Sequence, residues 1–188
     1  MFKKVGIYVL TIYSKLETLN KISNLINPFT SKWKNNEETN CYAYALGMDL
    51  SREDIYPFER FNPGTFSDHY LDNPFTKGEL LSFIESDLDY LGIDFKEVDP
   101  DYRLKLNEWK MAVMISSEFS FDEQRDFHFL RQTKPGIWSH KKGFDTIPTV
   151  LDSRGKPIMN PVTSIIETDG LFTSTKYDYL KTLCLRKK

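Results

Sequence analysis

Cysteine and histidine are scarce in this chain, with two of the first and three of the second among 188 residues. Cys41 and Cys184 are too few for a disulfide framework, although a single bridge between them stays open. The chain has no Cys-x-x-Cys pair and no helical pair of histidines, so a structural zinc site is not expected, nor is any cofactor. An excess of charge of one sign is also missing. The formal net charge is -2, and Lys and Arg are scattered rather than banded, so a nucleic-acid partner is not expected. There is no apolar run long enough to cross a bilayer, no internal repeat and no low-complexity tract. Lys3 and Lys4 precede a short apolar run that resembles the start of a signal peptide. The run breaks at Ser14-Lys15 and no small-x-small cleavage site follows. Secretion through this segment is therefore not expected. A cytoplasmic chain, or one delivered to a target cell, is the expectation.

What is abundant is aromatic. Phe, Tyr and Trp make up 14% of the chain, enough for a core rich in rings or, less simply, a ring-lined groove. The length fits one domain with a full hydrophobic core. The expected organisation is a single domain over 1–188, with an N-terminal helical segment over 1–35 and a core over 36–188.

Along the chain, apolar residues from Ile12 to Ile26 recur at helical spacing and Asn27-Pro28 ends them. A short helix is expected over Asn40 to Leu46, with Gly47 as its stop. Residues 48–75 read as a long loop carrying Phe58, Phe61, Phe66, Tyr70 and Phe75. Thr76 and Glu79 have capping-box spacing, and Leu80, Leu81, Phe83, Ile84, Leu88 and Leu91 follow at helical spacing. That predicts a helix over 77–91. Strands are expected over 94–98 and 111–115, on either side of a turn at 133–136, and over 146–151. The segment 99–109 is ambiguous, and 177–185 suits a strand or a helix. Helices early and strands late give an α+β domain with an antiparallel sheet.

The chemistry lies in three patches. Cys41 falls in the first turn of the short helix, where amide dipoles favour a thiolate and lower the thiol pKa. The same residues also suit a small buried helix, since Cys and Ala are commonly buried. His128 and His140 stand twelve residues apart, separated by Thr133-Lys134-Pro135-Gly136. Strands on either side of that turn would pair, but whether both imidazoles share a face depends on the turn register. Each histidine alone reads as an ordinary bonded or exposed residue, and so does His69 in the aromatic loop. Together, a helix-start cysteine and a hairpin histidine are the two essentials of thiol acyl transfer. The imidazole takes the thiol proton, a third group orients it, and backbone amides hold the oxyanion.

On Asn40-Cys41-Tyr42-Ala43-Tyr44-Ala45-Leu46, the His128–His140 spacing and Ser139-His140-Lys141-Lys142-Gly143, the chain resembles the papain-like fold, and within it the NlpC-type cell-wall endopeptidases. The resemblance implies Cys41 as nucleophile, His128 as base and His140 as the orienting residue, with Asp152 and Asp145 as rivals for that third place. It also implies a peptide, peptidoglycan or protein amide as substrate. Tyr42 and Ala43 depart from the small residues usual after the cysteine, and the spacing from Cys41 to His128 is longer than usual. The competing expectation is a non-catalytic binding module of the same fold that holds a protein partner with the aromatic loop 56–75.

Overall fold

The computed structural model of the chain describes residues 39–47, 61–118, 124–132, 136–143, 146–169 and 174–188. The helix expected over 12–26, loop residues 48–60 and Asp145 lie outside them. Among the described residues two helices come first, α1 (Cys41–Leu46) and α2 (Lys77–Tyr90), with a 3₁₀ turn at Thr65–Ser67 ahead of α2. Six strands follow: β1 (Ile93–Val98), β2 (Glu108–Ser116), β3 (Phe127–Gln132), β4 (Ser139–His140), β5 (Ile166–Asp169) and β6 (Ser174–Lys187). All the pairings are antiparallel, in the order β1-β6-β2-β3-β4, with β5 also on β6. The chain is an α+β domain with its described helices ahead of an antiparallel sheet.

α2 forms where its sequence directs. The Thr76 hydroxyl accepts from the Glu79 amide at 3.1 Å, and the Glu79 carboxylate accepts from the Thr76 amide at 2.7 Å. Its stripe of Leu80, Ile84 and Leu88 is fully buried. Burial of that kind contributes roughly 1.5–3 kcal/mol per side chain.

β2 runs through the middle of the sheet with both faces covered, so successive residues enter different cores. Met111, Val113 and Ile115 pack with α1, α2, Phe129, Leu183 and Leu185. Ala112 and Met114 pack on the other face with Leu130, Trp138, Ile158, Ile166 and Tyr177. One irregularity matters for the site. β6 pairs Val113 with Lys181 but Met114 with Tyr179, so one residue of β6 bulges out. A one-residue bulge flips the parity of a strand. Leu183 and Leu185 therefore face the helices, while Tyr177 faces the opposite core.

Several local expectations change. The ambiguous segment supplies the start of β2 at Glu108, and 177–185 lies within one 14-residue strand. The strand expected over 146–151 is reduced to single bridges, His140 with Thr149 and Leu151 with Pro157. Phe61 and Phe75 of the aromatic loop are buried, and Tyr70 is exposed. Ring contacts explain the inward turn: Phe61 stacks on Phe66 at 5.2 Å, and Phe66 lies 6.4 Å from Tyr42.

Candidate active site

The hairpin register settles the question that the turn left open. Leu130 lies opposite His140, and His128 is two residues from Leu130 on the same strand. Alternation then places both imidazoles on one face of the sheet. They meet there: His128 Nε2 is 2.7 Å from His140 Nδ1, with the rings edge to face at 86°. Both histidines are buried.

The other nitrogen of His140 fixes the direction of this bond. His140 Nε2 lies 3.1 Å from the Leu151 carbonyl, which can only accept. His140 Nε2 therefore carries the proton, and Nδ1 of the neutral ring is an acceptor. His128 must then donate from Nε2. Its Nδ1 is left with a lone pair, as a base requires. Burial, followed by the charges of His140 and Lys142, holds the His128 pKa well below the usual imidazole range. Burial likewise brings His140 down to about 4. Both rings are neutral at pH 7.

Cys41 opens α1 behind a formed N-cap. The Asn40 side chain accepts from the Ala43 amide at 3.0 Å and donates to the Phe61 carbonyl at 2.7 Å. α1 packs on the face of β3 that carries Phe129 and Arg131, opposite the imidazoles. Among the described residues β4 meets β3 at Leu130 and Arg131, so its partnership with β3 stops short of Phe129. The Cys41 sulfur lies at that part of the strand, where the Phe129 amide, one residue from His128, favours its anionic form. The amides of Tyr42 and of Cys41 itself also favour the anionic sulfur.

Here the electrostatics depart from expectation. Burial first, and the Asp126 carboxylate second, push the Cys41 thiol up to about 12. The helix-start amides act in the expected direction but are outweighed. The resting pair is a thiol and a neutral imidazole, not a thiolate–imidazolium ion pair.

The remaining expected residues are dispersed. Among the described residues no hydrogen bond joins Asp152 to His128, and the Asp152 charge acts on His140. Its carboxylate binds the Arg154 guanidinium at 2.7 Å and the Arg154 and Lys156 amides at 2.9 Å each, closing its own turn. His69 is exposed, 3.1 Å from Ser67 Oγ and 5.2 Å from the Phe83 ring. Cys184 is a buried free thiol on β6.

Sequence reading missed several supporting groups. Tyr177 lays its ring 5.2 Å from His128, and its hydroxyl donates to Asp126 at 2.5 Å beside Thr168 at 2.8 Å. The only signal for it is the bulge, which no local pattern announces. Arg131 donates to the Tyr44 carbonyl at 3.2 Å, and Ser139 Oγ meets the Tyr44 hydroxyl at 2.7 Å. Strand alternation could have found these, since it directs neighbours of the histidines toward α1.

Among the described residues no group of three His, Cys, Asp or Glu side chains is placed to hold a metal ion. No helix among them is long and apolar enough to cross a membrane. No family model matches the chain, and neither a curated protein nor a solved structure is significantly similar to it.

Proposed function

We propose that this chain is a cysteine-dependent hydrolase or acyl transferase of papain-like type, acting on a peptide or amide bond, with cell-wall peptide as the substrate class its motifs resemble. Cys41 is the nucleophile, His128 the base and His140 the residue that orients it. The observation that carries this reading is the directed chain Leu151 carbonyl, His140, His128, which leaves a lone pair on His128 Nδ1 one residue from an amide that favours the Cys41 thiolate.

The chemistry follows from a neutral starting state. As the sulfur adds to the substrate carbonyl, its proton passes to His128 Nδ1. The new imidazolium keeps its Nε2–H on His140 Nδ1, an acceptor already in place. The carbonyl oxygen gains the negative charge, and the Cys41 and Tyr42 amides beside the sulfur are the donors proposed to hold it. Collapse breaks the C–N bond, and the proton on His128 goes to the leaving amine. Water, or another amine in acyl transfer, then attacks the thioester, with His128 again taking a proton.

One observation favours a second reading, a non-catalytic binding module of the same fold: Cys41 is 7% exposed and its thiol resists ionisation. A generic acyl donor separates the two. On incubation with p-nitrophenyl acetate, the first reading predicts a burst of nitrophenolate and an acetyl group mapped by peptide mass spectrometry to Cys41. The adduct should vanish in Cys41→Ala and persist in Cys184→Ser. Slow, equal acetylation of both cysteines would favour the binding module.

A further inference from the structure

Lysine is rarely buried without partners, because removing an ammonium from water is costly. Lys141 is nonetheless only 1% exposed. Its Nζ donates to two backbone carbonyls, those of Thr39 and of Gly143, the latter at 2.8 Å. Thr39 is itself buried and leads directly into the N-cap Asn40 and Cys41. Lys141 follows His140 directly. One ammonium thus joins the end of the strand bearing the second imidazole to the backbone bearing the sulfur. Ser139, on the other side of His140, meets the Tyr44 hydroxyl of the same helix at 2.7 Å. The two neighbours of His140 grip α1 near its start and near its end. Asn40, by contrast, ties the helix to Phe61, on a segment that carries neither of the paired histidines.

We propose that Lys141 is a positioning residue: its ammonium, seated on the Thr39 and Gly143 carbonyls, sets the placement of Cys41 against the His128–His140 pair. It acts through the Thr39–Cys41 backbone. Its functional half rests on the reading of Cys41 as nucleophile. Methionine fills similar space but has no donor, and it removes the ammonium's hydrogen bond to the buried Thr39 carbonyl. Arginine keeps charge and donors on a broader, planar head, so it restores the tether in part.

The test compares full-length wild type, Lys141→Met and Lys141→Arg, well below their melting temperatures. Amide hydrogen exchange is read at Ala43 and Tyr44 of α1 and at Leu130 of β3. Acetylation of Cys41 by p-nitrophenyl acetate is read per folded molecule. In Lys141→Met, α1 exchange should quicken about 10-fold with β3 unchanged, and acetylation should fall about 100-fold, the scale on which a displaced reacting group loses rate. Lys141→Arg should recover part of both. A purely structural lysine would lower the melting temperature and leave α1 exchange and acetylation at wild-type values, which overturns the proposal. If wild-type Cys41 does not acetylate, the hydrolase reading falls, while faster α1 exchange in Lys141→Met still establishes the tether. Unchanged α1 exchange removes the tether whatever the acetylation does. Should Lys141→Met fail to fold, Lys141→Gln, of similar length and uncharged, carries the same comparison.

Discussion

His128 donates from Nε2 to His140 Nδ1 across 2.7 Å, and His140 can accept only because its own Nε2–H is held by the Leu151 carbonyl. The useful tautomer of His128 is therefore set two bonds away, by a backbone oxygen. His140→Ala removes the acceptor and frees His128 to place its proton on either nitrogen. The expected result is roughly 100-fold slower acetylation of Cys41, within the range for general-base effects. His140→Gln, which retains an accepting oxygen, should recover part of it. Imidazole nitrogen chemical shifts report the His128 tautomer directly, and an unchanged tautomer in His140→Ala would contradict the role.

Burial of the two neutral rings links stability to pH. His140 titrates at about 4 in the fold, and His128 also lies well below 6.5, their usual value when unfolded. Below 6.5 the unfolded chain binds protons that the folded chain refuses, so stability rises with pH there. The contribution is fully present above pH 6.5 and is lost as pH falls from 6.5 toward about 4. The loss is about 1.4 kcal/mol per pH unit for each ring. Urea denaturation at pH 7.5 and pH 5 should show a clearly lower midpoint at pH 5. In His140→Gln the difference should shrink.

Asp126 sets how hard the thiol is to ionise. After burial, its charge is the next cause of the raised Cys41 pKa. Asp126→Asn keeps an oxygen for the Tyr177 hydroxyl while removing that charge. The ultraviolet thiolate titration of Cys41, followed in a Cys184→Ser background, should move to lower pH. An unmoved midpoint would show that the carboxylate does not reach the sulfur.

How far the sequence carries is visible in particular residues. α2 is legible because capping chemistry and a 3.6-residue apolar period agree over 77–91, and the helix runs from Lys77 to Tyr90. The cysteine helix and the histidine hairpin are legible for similar local reasons. Whether His140 or Asp152 meets His128 is not legible in the sequence, because it depends on the Leu130–His140 register across the hairpin. The raised thiol is not legible in the sequence, because a first-turn position speaks only of helix amides. Burial and Asp126, which outweigh them, are tertiary. Tyr177 was hidden because its face depends on a bulge in β6 opposite Val113 and Met114.

Asp87 anchors the segment beneath α1. Its buried carboxyl oxygens accept from the Tyr42 hydroxyl at 2.9 Å, the Gly64 amide at 2.7 Å, and the Ser67 amide and hydroxyl at 2.8 and 2.7 Å. Asp87→Ala strands these donors. A loss of about 3 kcal/mol or more is expected, since each unsatisfied buried donor costs roughly 1–3 kcal/mol. Denaturant unfolding measures it. A loss below about 1 kcal/mol would mean that water replaces the carboxyl group at little cost.

The proposed mechanism has His128 take the Cys41 proton. Its most direct test is the rate of Cys41 acetylation in wild type and in His128→Ala across pH 5 to 9, each in a Cys184→Ser background. The wild-type rate should already be on its plateau at pH 7, with its acid limb below 6.5 because burial depresses the imidazole. In His128→Ala the rate should be lower by roughly 10²–10⁴. Equal rates in the two proteins, both climbing with pH as an unassisted thiol ionises, would contradict it.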